Sequence, residues 1–127
     1  MRNFIARRVA SFRCAFQGWW YVIRTQRNAW IHAIATTLVV TLAAWLRLPA
    51  TEWAILILVI ALVWSAEFLN TAIEAVVDLA SPVHHPLAKV GKDVGAAAVL
   101  IAAGAAVLIG LLILGPPLLA KILLRLQ

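Results

Sequence analysis

Near the start of the chain the apolar residues Ile5, Val9, Phe12, Phe16, Trp19 or Trp20, and Ile23 recur at steps of three and four, with arginines and Gln17 between them. That is the period of one helix face. The pattern predicts an amphipathic helix within residues 1–27, lying in a membrane interface with its aromatics toward the acyl chains and its cations among the headgroups. Over residues 29–48 the periodicity gives way to a continuous apolar run, long enough to cross about 30 Å of hydrocarbon at about 1.5 Å per residue. His32 stands near the start of that run, and Arg47 closes it.

Leu48, Pro49, Ala50 and Thr51 read as a tight connection, with Thr51 as N-cap and Glu52 in the first turn of the next helix, where an acid suits the dipole. From Trp53 to Trp64 this second helix is apolar, and it then admits Glu67, Asn70, Glu74 and Asp78 before Ser81 and Pro82 stop it. The span, at 53–78, is too long for one crossing, so its last turns should emerge on the far side. Residues 81–92, with prolines, histidines and lysines, read as a polar loop. Lys92 or Asp93 then opens a third span at 94–114. In it Ala98, Ala102, Ala106 and Gly110 recur every fourth residue, a stripe that lets helices approach closely in lipid and favours oligomerisation. Gly115, Pro116 and Pro117 should end it. The expected fold is an all-α membrane protein, an amphipathic surface helix plus three transmembrane helices, forming one unit over residues 1–127.

Composition supports a lipid environment. Of the 127 residues 65% are hydrophobic and 13% charged, with a mean hydropathy of +0.98, against about a quarter charged in soluble domains. The net charge of +6 sits largely on the aromatic N-terminal segment, which points to anionic lipid headgroups and not to nucleic acid. Three spans put the termini on opposite sides. The N-terminal segment and the 81–92 loop then share a side with eight of the eleven basic residues, which the positive-inside rule assigns to the cytoplasm of a bacterial inner membrane. Cys14 is the single cysteine, so no intrachain disulfide is possible.

Four of the five acids lie between Glu67 and Asp93. Glu67, Asn70, Glu74 and Asp78, spaced by three, four and four, share one helix face over about 16 Å. An acid at the centre of a membrane helix costs about 2.5–3.5 kcal/mol on insertion scales, so a row of them calls for a function. Carboxylates with a carboxamide form a hard-oxygen set suited to Mg²⁺, which completes its shell with water and nucleotide phosphates. Lys92, expected at a helix start beside Gly91, suits two roles equally by its spacing: holding phosphate through its ammonium and local backbone amides, or anchoring the span at the positive-inside face. The segment lacks the remainder of a Walker A pattern, so no P-loop is present. His84 and His85, adjacent and without cysteine, make a poor transition-metal site. His32 reads as a buried hydrogen-bonding residue.

The stretch from Glu67 through Asn70, Thr71, Ala72, Ile73 and Glu74 to Asp78, followed by His84-His85-Pro-Leu-Ala-Lys89 and by Lys92-Asp93 with a run of small residues, closely resembles the prokaryotic diacylglycerol kinase and undecaprenol kinase family. Weaker similarity covers nearly the whole chain. The resemblance implies a homotrimer of three-span subunits that moves the γ-phosphate of MgATP onto a lipid hydroxyl at the cytoplasmic interface. It implies that Glu67 is the general base, that Asn70 positions that region, and that Glu74 binds the metal. Asp78, Lys92, Asp93 and His85 would serve the nucleotide. Gln26 stands where the family usually has a glutamate that helps hold metal and nucleotide; the amide offers oxygen without charge. The HHPLAK form resembles the undecaprenol branch more than the diacylglycerol branch.

Two readings of other classes compete. A small transporter predicts four spans and a midplane acid, against three spans with acids at one end. A non-catalytic membrane subunit would tolerate loss of Glu67.

Overall fold

The computed structural model describes residues 2–81 and 83–126, and side chains from residue 7 onward. Ile5 as a member of the amphipathic stripe and Pro82 as a helix stop therefore lie outside the described residues. Four helices follow one another: α1 Arg2–Thr25, α2 Arg27–Leu46, α3 Ala50–Ala80 and α4 Pro86–Leu126. The last three are long and apolar enough to cross a membrane.

The α1–α2 boundary falls one residue before the predicted end of the N-terminal segment. Gln26 leaves the helical region (φ −99°, ψ 118°) while its N–H still bonds the Val22 carbonyl at 2.9 Å, and α2 starts at Arg27. This single extended residue changes the chain direction and turns the Gln26 side chain inward. Val9, Phe12 and Phe16 are exposed in the single chain. The end of α1 docks through buried Val22 and through Trp19, whose ring lies 4.9 Å from that of Trp64 and 4.8 Å from that of Phe68.

The connection from α2 to α3 is tighter than expected. Arg47 takes the left-handed conformation (φ 58°, ψ 50°) that closes helices, and the N–H groups of Arg47 and Leu48 cover the carbonyls of Ala44 and Ala43. Thr51 is not the cap. Pro49 occupies that position, its carbonyl accepting from Glu52 and Trp53 N–H, because extended proline backbone can start a helix without a side-chain acceptor. Ala43, Leu48, Leu56 and Leu114 form the apolar core at this end.

Two expectations for the third span are corrected. The polar loop does not run to Lys92: α4 begins at Pro86, a residue pre-set for the first helical turn, with the Leu87 N–H donating to His85 Nδ1 at 3.2 Å. Lys92 therefore sits in the second turn of α4, away from the orphan amides of a helix start. Nor do Pro116 and Pro117 end the helix, which continues to Leu126. Proline removes only local donors, and in lipid a broken helix would expose many more backbone groups.

α3 and α4 pack along much of their length. The small-residue stripe meets this interface only in part: Ala102 is buried, whereas Ala98 is exposed. Residues four apart drift about 40° per step around a helix, so the buried row runs through Gly95, Val99 and Ala102. The tightest approach is at Gly95, where a Cβ would overlap Asn70 Oδ1 and lie 3.4 Å from Asn70 Cγ.

Candidate active site

The polar face of α3 climbs from the apolar interior to solvent. Glu67 is 1% exposed, Asn70 and Thr71 are buried, Glu74 is half-buried and Asp78 is exposed. Thr71 Oγ1 donates to the Glu67 carbonyl at 2.9 Å, which occupies the hydroxyl within the helix and leaves Glu67 and Asn70 to face the neighbours. Gly95 on α4 leaves the room that Asn70 fills.

Glu74 lies at the centre of the polar cluster. Asn70 Nδ2 donates to its Oε1 at 2.9 Å and Gln26 Nε2 to its Oε2 at 3.3 Å. Residues from α3 and from the α1–α2 break are thus joined on one carboxylate, 48 positions apart in the chain. One turn outward, Lys92 Nζ meets Asp78 Oδ1 at 2.5 Å. That contact sets an ammonium of α4 against the acidic face of α3. Like-charge neighbours along one face are thereby partly neutralised from α4.

Two of the expected site residues keep other company. Asp93 pairs with Lys89 at 3.5 Å in an exposed i,i+4 contact, the kind that contributes about 0.3–0.5 kcal/mol. His85 caps α4 through Nδ1. Deeper in, His32 Nε2 of α2 lies 3.7 Å from Glu67 Oε2, and its ring packs edge-on to Trp64, which donates to Thr36 Oγ1 at 3.2 Å. Four buried atoms here lack a hydrogen-bond partner: His32 Nε2, both Glu67 carboxylate oxygens and Asn70 Oδ1. Of these residues His32 and Asn70 border a groove of about 260 Å³ that reaches from Asn28 to Ala96 and Leu100. A longer apolar groove of about 450 Å³ runs from His32 and Thr36 down to Gly115 and Leu118. Sequence reasoning gave His32 a merely structural part and did not single out Gly95. The signal for Gly95 was a glycine beside Val94, ahead of a run of alanines within α4.

Buried, unpartnered polar atoms, with His32 lining both grooves and Asn70 one of them, are suited to a reaction at a lipid headgroup. Comparison with known proteins agrees. The family model for prokaryotic diacylglycerol kinase matches residues 13–114. The chain belongs to that family. It is 44% identical over 117 residues to the undecaprenol kinase of Bacillus subtilis, covering 92% of this chain and 95% of that one. It is 48% identical over 113 residues to a diacylglycerol kinase of Synechocystis, covering 88% of this chain and 65% of the relative. With the Escherichia coli K12 diacylglycerol kinase it shares 43% identity over 83 residues, 60% of this chain and 68% of the other. As a member of this family the chain is a membrane lipid kinase, with ATP as co-substrate and a lipid as acceptor.

Proposed function

We propose that the protein phosphorylates undecaprenol to undecaprenyl phosphate at the cytoplasmic face of a bacterial inner membrane, acting as a homotrimer. The observation that carries the reading is the joining of Asn70, Glu74 and Gln26 at the polar end of an apolar bundle, with Glu67 buried two turns inward of Glu74 on the same helix face and Lys92 one turn outward. Match to the undecaprenol kinase relative over nearly the full length of both chains supports the choice of lipid. The sidedness rests on the excess of basic residues on that side, and the exposed face of α1, with Phe12 and Phe16, suits anionic headgroups.

Phosphoryl transfer requires chiefly positioning and charge neutralisation. Glu67 takes the proton of the lipid hydroxyl as that oxygen attacks the γ-phosphorus. Asn70 fixes Glu74 relative to Glu67, and Lys92, held by Asp78, neutralises phosphate oxygens. Asp93 and His85, at the solvent edge, contact the nucleotide beyond the phosphates. The apolar groove takes the hydrocarbon of the acceptor, which arrives by diffusion within the bilayer.

The residues fit Mg²⁺. Among the described residues no three acidic, histidine or cysteine groups form a metal cluster, but this ion needs only one or two carboxylates beside water and phosphate. Glu74 and the Gln26 carboxamide oxygen would hold it, and when bound it supplies charge neutralisation on the phosphates.

A second reading, phosphorylation of diacylglycerol, has the Synechocystis relative in its favour. Phosphorylation of each lipid in mixed micelles with labelled ATP separates them. Undecaprenol should be the faster acceptor by kcat/KM; a preference for diacylglycerol selects the second reading, and transfer to neither overturns both.

A further inference from the structure

Among the described residues, Glu67 is the most buried charged side chain, and neither of its oxygens has a hydrogen-bond partner in the chain. One group stands ready to become that partner. His32 Nε2, itself buried and unpartnered, lies 3.7 Å from Glu67 Oε2, just beyond hydrogen-bond length. The imidazole is not free to wander: it packs edge-on to Trp64, and Trp64 is tied to Thr36 on the same face of α2 as His32. Trp64 is also held from outside by Trp19 of α1.

We infer that His32 is a positioning and proton-accepting partner of Glu67, forming a buried carboxylate–imidazole dyad that closes when acceptor and nucleotide bind. This rests on the proposed role of Glu67 as general base. Contacts of this length in the empty state commonly tighten in the reactive complex. The surroundings leave few competitors. From α3 the next charged group on the same face is Glu74, two turns outward, which the Asn70 and Gln26 amides hold. α4 carries no ionisable residue between Asp93 and Lys121. α1 approaches with Trp19 and Val22, and the nearest cation of α2, Arg27, is exposed.

The chemistry balances. The lipid O–H bond breaks, its electron pair forms the new bond to the γ-phosphorus, and the bond from that phosphorus to the bridging oxygen breaks to release ADP. The proton passes to Glu67 Oε2 and onward to His32 Nε2. The resulting imidazolium stands beside a regenerated carboxylate, and it loses the proton to water through the groove at Asn28 and Asn70. Without His32 the proton would remain on a carboxyl group surrounded by hydrocarbon, and the base would have to be reset against that environment.

The test is full-length protein in lipid nanodiscs with MgATP and undecaprenol, comparing wild type with His32→Ala and His32→Gln from pH 5.5 to 9. We expect His32→Ala to lower kcat at least about tenfold near neutral pH, with KM for MgATP unchanged and the acid limb of the rate profile moved to higher pH. His32→Gln, which can still hydrogen-bond Glu67 but takes up no proton, should recover only part of the loss. Free imidazole should raise the rate of His32→Ala and leave that of wild type unchanged. A uniform fall in rate at every pH, with no imidazole rescue, would mean a packing role and overturn the inference, as would wild-type kinetics in His32→Ala. The outcomes separate cleanly from failure of the underlying reading: if Glu67→Gln turns over like wild type, Glu67 is not the base, whatever His32 does. Size and thermal unfolding of each variant confirm that the compared species are assembled.

Discussion

At the end of the bundle where α2 turns into α3, the chain's polar groups are matched. Arg47 and Leu48 N–H cover helix-end carbonyls, and Lys121, reaching across from α4, donates to the Trp45 carbonyl at 2.8 Å while lying 4.0 Å from the centre of its ring. Close by, Ala43, Leu48, Leu56 and Leu114 close a core with no titratable member. The opposite end, built by the same helices, buries a carboxylate, an imidazole nitrogen and an amide oxygen without partners. A buried unmatched polar group costs about 1–3 kcal/mol, so within the chain the first end is arranged for stability and the second gives some of it up. The contrast is in keeping with the proposed site.

The contrast can be broken most sharply by Glu67→Gln. If the unmatched end is catalytic, turnover should fall about 10²- to 10⁴-fold while the protein assembles normally and unfolds at or above the wild-type temperature, as measured by lipid phosphorylation and a melting curve. Gly95→Ala comes next. Its methyl group must displace Asn70, which should lower kcat by up to about a hundredfold and destabilise by about 1–3 kcal/mol; equal activity would show that the Asn70–Glu74 contact is dispensable. A smaller effect is expected from Gln26→Glu, which adds charge to the proposed metal set. The half-saturating Mg²⁺ concentration in the kinase assay should drop, and an increase would remove Gln26 from that set. Smallest of all, Lys121→Met should leave turnover unchanged and cost about 0.5–1 kcal/mol, read from thermal unfolding. A large loss of activity from this far-end change would erase the distinction between the two ends.

Much of this was legible in the residues. The spacing of Glu67, Asn70, Glu74 and Asp78 marks one face of a helix whatever surrounds it, because 3.6 residues per turn leaves no other arrangement. The three apolar runs were equally plain, since only a continuous hydrophobic stretch can cover the hydrocarbon. The ends of helices were less so. Pro86 and Pro116 carry the same local chemistry, yet the first starts a helix and the second lies within one. Which of these occurs depends on whether neighbouring backbone groups find other partners, and that is not a property of the tripeptide.

The sequence alone determined which helices form and which of their residues are too polar for lipid, because periodicity and burial cost act within a single element, while its motifs carried the family resemblance. Only the tertiary structure decided that Gln26 reaches Glu74, that Gly95 makes room for Asn70, and that His32 faces Glu67. Those pairings depend on the depth and rotation at which α2 and α4 pack on α3. Depth and rotation are set by many side chains at once, so no local pattern in the chain encodes them.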